Sequence, residues 1–230
     1  MKYMGSKARF KKRILDAMGE IGCVYVEPFA GGMNMIDCVK ADRRIANDAN
    51  KYVIAMFKAV VNGWIPPEIS RHEYAELKNL NGSDEMIGWA GIGCSYSGKW
   101  FGGYAGICQT RAGERNYQKE ALRSLINQAR LLSGVEFSSV SYSDLEIPDH
   151  AIVYCDPPYQ GTTGYGVDFD HVAFWDWVRK ISKRCRVFVS EYNAPDDFEC
   201  ILEINAKSSL SANGKSGGNK NSTEKLFVIK

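Results

Sequence analysis

The tetrapeptide Asp156-Pro157-Pro158-Tyr159 follows directly on a short apolar run, Ala151–Cys155. Each member has a chemical use at the end of a strand. A carboxylate accepts a hydrogen bond from an exocyclic amine, a peptide carbonyl before a proline is an acceptor, and a tyrosine ring stacks on a base. The two prolines stiffen the turn. Open α/β sheets put their ligand sites beyond the C-terminal ends of strands, where this tetrapeptide would fall. Asp and Pro are also ordinary turn residues, so a plain strand-ending turn is the competing reading.

Two further groups of residues have the same placement. Val26-Glu27-Pro28-Phe29-Ala30-Gly31-Gly32 ends an earlier apolar run and leads into a helical pattern. Its glycines allow close backbone approach to a ligand, and Glu27 suits an amine or a hydroxyl. It is neither the GxGxxG fingerprint nor a P-loop, so phosphate cradling is not supported. Asn47-Asp48 ends the next run, where an acid can hold ribose hydroxyls or can cap the following helix.

The elements that position these residues alternate. Phe10, Ile14, Ala17, Met18 and Ile21 recur at helical spacing. Cys23–Glu27 reads as a strand, Met33–Ala41 as a helix, Arg43–Asn47 as a strand and Lys51–Val61 as a helix. Later come a strand at Ala151–Cys155, a helix at Val172–Ser182 with Trp175 and Val178 facing the core, and a strand at Arg186–Ser190. This predicts an α/β fold with a mostly parallel sheet covered on both faces. Residues 65–134 break the rhythm. Short helices near 71–80 and 83–90 precede a glycine- and aromatic-rich stretch, and a longer helix spans about 115–132, which together read as an inserted lobe. Ser208–Thr223 reads as a mobile loop and Leu226–Ile229 as a strand.

Composition narrows the function. The 230 residues carry 29 Lys+Arg against 27 Asp+Glu, so any anionic partner must meet a local patch. Three patches stand out: residues 1–13, residues 99–130, and the tail from 205. No apolar run reaches the ~20 residues of a membrane span, and no apolar segment follows the charged start as in a signal peptide. The seven cysteines are widely spaced, and the three histidines (His72, His150, His171) lie far apart, so neither a disulfide framework nor a metal site is expected. A reduced, cytoplasmic protein fits.

In this order the motifs resemble the Dam-type DNA adenine-N6 methyltransferases, and the resemblance covers nearly the whole chain. Lys2-Tyr3-Met4-Gly5-Ser6-Lys7 is similar to the family's opening cofactor segment, Val26–Gly32 to its methionine-binding loop, Asn47-Asp48 to its ribose acid, and Asp156–Tyr159 to its catalytic tetrapeptide. Met33 departs from a frequent glycine. The resemblance implies a Rossmann-like methyltransferase sheet formed by residues 1–64 and 135–230, with residues 65–134 as the DNA target-recognition lobe. It implies S-adenosylmethionine as cofactor, no metal, a monomer, and the cytoplasm of a bacterium or a phage-infected host. Asp156, Pro157 and Tyr159 would be catalytic. Tyr3, Lys7, Glu27, Phe29, Gly31, Gly32, Asp48, Asp144 and Asp156 would bind the cofactor. Double-stranded DNA would be the partner, with the target adenine flipped out of the helix.

In the lobe, Lys99, Trp100, Arg111, Arg115 and Asn116 are the candidate DNA contacts, since Arg suits guanine and Asn suits adenine. Arg115 is expected to open the long helix and to be the more sequence-reading arginine. The aromatic stretch Ser95–Tyr104 suits insertion beside a displaced base and equally a packed loop. Two rival functions stay open: an amino-methyltransferase acting on cytosine N4, RNA or a protein amide, and a non-catalytic nucleic-acid-binding relative that keeps the fold.

Overall fold

The computed structural model describes residues 1–111, 113–160, 169–207 and 221–230. In chain order the main elements are α1 (Lys11–Met18), β1 (Val24–Glu27), β2 (Arg43–Asn47), α2 (Lys51–Val61), α3 (Arg71–Lys78), α4 (Asp84–Gly88), β3 (Ile107–Thr110), β4 (Gly113–Asn116), α5 (Tyr117–Ala129), β5 (Val135–Ser138), β6 (Ile152–Cys155), α6 (His171–Ser182), β7 (Arg186–Glu191), β8 (Phe198–Lys207) and β9 (Asn221–Ile229).

Seven strands form one sheet in the order β5-β2-β1-β6-β7-β9-β8. β5, β2, β1, β6 and β7 pair parallel, and β9 is antiparallel to both its neighbours. The sheet is therefore Rossmann-like and mostly parallel. The strand order reverses between β1 and β6, so a crevice opens there at the C-terminal edge. Side chains alternate between faces along each strand. Tyr25, Ala46, Ile152, Tyr154 and Phe188 pack on one face with α1, α2 and α5. Val26, Ile45, Val153, Cys155, Val187 and Val189 pack on the other with α6. Trp175 and Val178 are buried there, as the helical pattern predicts.

Three sequence expectations change. The helix expected over Met33–Ala41 is only a short 3-10 turn, Ile36–Cys38. Met33 is fully buried with φ +56°, a left-handed conformation that cannot propagate a right-handed helix. That conformation is the one a glycine would adopt freely, so the backbone keeps it at a steric cost. The first helix stops at Met18, closed by Gly19 at φ +74°. The long helix starts later than about 115: Arg115 lies in β4, and Asn116 caps α5 by accepting from the Lys119 N–H.

The segment 65–134 thus contains a β3–β4 hairpin as well as helices. α4 runs on through a π turn, Trp89–Gly93. Ile69, Tyr74, Leu77, Ile87 and Trp89 share one continuous core with the sheet and α2. Of the loop expected at Ser208–Thr223, residues 208–220 lie outside the described residues, and Asn221–Thr223 begin β9. No described helix is long and apolar enough to cross a membrane, and all seven cysteines are free thiols.

Candidate active site

The ends of β1, β2, β6 and β7 bring Glu27, Asn47-Asp48, Cys155-Asp156 and Glu191 to one edge of the sheet. β9 runs the opposite way, so its beginning lies there and delivers Glu224. The N-terminal segment crosses this edge. The Ser6 side chain accepts from the Ala8 N–H and starts a short turn that aims Lys7 inward.

Lys7 is buried and its ammonium lies 2.8 Å from Asp156 Oδ1 and 3.7 Å from Glu224 Oε2. It also donates to the Gly5 carbonyl at 3.3 Å and sits 4.6 Å from the centre of the Tyr159 ring. The Tyr159 hydroxyl donates to Glu224 Oε2 at 2.8 Å, and its ring meets Tyr192 edge-on at 4.7 Å. Glu191 accepts from the Gln160 N–H at 2.7 Å and so fixes the exit of the tetrapeptide. Asp156, Tyr159 and Lys7, drawn from opposite ends of the sequence, form one cluster. Lys7, expected among the cofactor-binding residues, touches the candidate catalytic carboxylate directly.

Burial pushes the Asp156 carboxyl above the usual carboxylate range, with the Lys7 ammonium pulling against it. Glu27 is 2% exposed and stands well above that range, mainly through burial, although Tyr25 donates to it at 2.9 Å. Burial also raises Tyr159 well above a free phenol.

The glycine loop is held from two sides. Asp48 Oδ2 accepts from the Gly31 N–H and Oδ1 from the Asn50 N–H, both at 2.8 Å. Burial raises the Asp48 carboxyl, and these two bonds oppose the rise. Asp48 is not the cap of α2: the Asn50 side chain accepts from the Tyr52 and Val53 N–H groups. Tyr3 lies across the loop. A Cβ on Gly32 would sit 2.5 Å from Tyr3 Cβ, so only glycine admits the segment this close. Phe29 belongs to an aromatic group with Tyr142 at 5.3 Å and Phe169 at 5.8 Å. Asp144 is exposed two residues beyond Tyr142, where the Ser143 hydroxyl donates to it at 3.3 Å.

The candidates in residues 65–134 divide by exposure. Trp100 is half-buried, stacked on Tyr52 at 5.9 Å and edge-on to Phe101 at 4.9 Å, so it packs between α2 and its own loop. Tyr104 is likewise tied down, donating to the Ile69 carbonyl at 2.8 Å. Lys99 is exposed, as is Tyr96 at 66%. The loop reaches the N-terminal segment through the Met4 N–H, which donates to the Gly98 carbonyl. Arg111 is exposed at the turn of the β3–β4 hairpin. Arg115 makes a two-pronged pair with Glu120 at 2.6 and 2.8 Å and lies over Tyr117, while Asn116 donates to Glu68 at 3.1 Å. The reason for ranking Arg115 above Arg111, its place at the helix start, therefore does not hold.

Sequence reasoning missed Glu191 and Glu224. The two acids sit in strand patterns that drew attention to apolar neighbours. A search at strand ends would have found Glu191, but only the direction of β9 brings Glu224 to the site. Among the described residues no group of three or more His, Cys, Asp or Glu side chains could hold a metal.

Two solved structures are similar to this chain at low TM-score. The rRNA methyltransferase aviRa from Streptomyces viridochromogenes superposes with a TM-score of 0.40 at 12% identity, over 96% of this chain and 82% of that one. SMU.472, assigned as a methyltransferase and solved in complex with SAH, gives a TM-score of 0.32 at 11% identity, over 85% of this chain and 52% of that one. No curated protein matches the sequence. Residues 3–86, which carry Tyr3, Lys7, Glu27, the glycine loop and Asp48, match the D12 class N6 adenine-specific DNA methyltransferase family model.

Proposed function

We propose that the chain transfers a methyl group from S-adenosylmethionine to N6 of an adenine flipped out of double-stranded DNA. The observation that carries this reading is the contact of Lys7 with Asp156, 2.8 Å apart, at the crevice between β1 and β6. The acceptors at that edge suit the cofactor's donors. Glu27 and Asp48 are carboxylates at neighbouring strand ends, fit for an ammonium and for ribose hydroxyls, and Phe29 with Tyr142 offers an apolar wall for its base. When bound, the cofactor supplies a methyl group on a sulfonium, which accepts the amine's electron pair as the carbon–sulfur bond breaks.

The adenine amino group is a poor nucleophile because its lone pair is delocalised into the ring. Asp156 Oδ2 and the Pro157 carbonyl would each accept one N6–H, localising the lone pair on N6 and out of conjugation with the ring. Lys7 favours the ionised, accepting form of Asp156 against its burial. Tyr159 offers a face for the extruded base, a contact worth roughly 1–3 kcal/mol against the few kcal/mol that flipping costs. The N6 proton displaced by methylation is lost to water. Positioning and electrostatics supply the acceleration. The lobe, residues 65–134, would read the DNA through Lys99, Arg111 and Arg115, with Tyr96 the exposed aromatic beside them.

The test is Asp156→Ala, assayed for methyl transfer to DNA beside a melting curve. A lost transition-state hydrogen bond of ~2–4 kcal/mol lowers kcat by at least about tenfold, with the fold intact. More than about a tenth of wild-type kcat would contradict the assignment.

A further inference from the structure

We propose that Glu224 is a positioning residue for this reaction: it captures the Tyr159 hydroxyl, which keeps Asp156 available to the substrate amine. The inference rests on the reading of function above.

The Tyr159 hydroxyl has one proton and two carboxylates within reach. It donates to Glu224 Oε2 at 2.8 Å, and the same hydroxyl is a neighbour that stabilises ionised Asp156. A hydroxyl proton serves one strong acceptor at a time. If it turned to Asp156, it would occupy an oxygen that the target amine needs, while Lys7 already holds Oδ1. Glu224 competes for this proton by offering an acceptor at 2.8 Å. Its carboxylate also lies 3.7 Å from the Lys7 ammonium.

The fold explains why such a residue is found here. β9 is antiparallel to β7, with Glu191 paired to Lys225, so Glu224 lands beside the tetrapeptide. Its side chain is 16% exposed, set among Lys7 and Tyr159 rather than in bulk water.

The experiment is a double-mutant cycle on single-turnover rate at saturating cofactor and DNA, using Glu224→Ala, Tyr159→Phe and the pair. Glu224→Ala should lower the rate about tenfold in the wild-type background, the scale of losing one charge-assisted hydrogen bond. In the Tyr159→Phe background, where no hydroxyl can turn to Asp156, the same substitution should cost about twofold or less. Glu224→Gln, which retains an acceptor, should fall between wild type and Glu224→Ala and guards against a folding defect. The acid limb of the rate profile should move to lower pH in Glu224→Ala, because Glu224 raises the Asp156 carboxyl. Equal losses in both backgrounds, or an unmoved acid limb, would make Glu224 merely structural and overturn the proposal. The wild-type rate is read first: transfer to DNA upholds the function whatever the cycle shows, and its absence refutes both.

Discussion

At the scale of single residues the site is a competition between burial and charge. Asp156 must be ionised to accept from an amine, yet burial favours its neutral form. Lys7 opposes burial from 2.8 Å. The consequence has a sign. Activity should fall as pH drops through the Asp156 pKa, which lies above the ordinary carboxylate value of about 3.9. Removing Lys7 removes the stabilising cation, so Lys7→Met should move the acid limb of kcat to higher pH. A pH–rate profile checks this, and a limb that stays in place or moves down would show that Lys7 does not govern Asp156. Asp156–Tyr159 was legible in the sequence because its residue types are unusual together and sit after an apolar strand. The partnership of Lys7 with Asp156 was not, because 149 residues of chain separate them and only the fold closes that distance. Glu224 was hidden for the same reason, compounded by the reversed strand.

At the scale of elements, short-range patterns read well and irregular loops did not. Lys51–Val61 was legible to the residue, since its apolar periodicity is continuous and Asn50 caps it. The central strands were legible from their apolar runs, buried on both sides. The glycine loop was read as opening a helix, yet its backbone is shaped by Tyr3 lying on it and by Met33 at φ +56°, neither of which periodicity reports. The β3–β4 hairpin was missed because its exposed sequence has no apolar face to mark it. The end of β2 gives a clean separation of roles. Asn50→Ala should cost ~1 kcal/mol of stability, the usual loss of a helix cap, with cofactor affinity unchanged. Asp48→Ala should weaken cofactor binding instead, because it frees the Gly31 N–H and loosens the glycine loop. Calorimetric titration beside thermal melting distinguishes the two. Equal cofactor affinity in Asp48→Ala and wild type would confine Asp48 to a structural role.

At the scale of the whole molecule, a nearly neutral protein concentrates cations in residues 99–130. Residues 99–130 carry Lys99, Arg111, Arg115, Lys119, Arg123 and Arg130 against Glu114 and Glu120. Part of that charge is already spent internally, since Arg115 is paired with Glu120 and Lys119 reaches Glu68 at 3.4 Å. Arg111 and Lys99 should therefore dominate binding. Replacing either with Ala should weaken binding to all sequences and reduce the salt slope by about one unit if it meets a phosphate. If it meets a base edge, the loss should be ~1–3 kcal/mol and confined to one position of the site. Titrations at several salt concentrations on a cognate duplex and its single-base variants separate these outcomes. Unchanged slope and preference in both variants would place recognition elsewhere.

The central claim is that this edge of the sheet methylates adenine N6 in DNA using S-adenosylmethionine. Tritium transfer from methyl-labelled cofactor to duplex DNA, followed by digestion to nucleosides, tests it most directly. The account predicts label in N6-methyldeoxyadenosine with the wild-type protein and none with Asp156→Ala. Label in a cytosine product, label in RNA but not in DNA, or no transfer at all would contradict it.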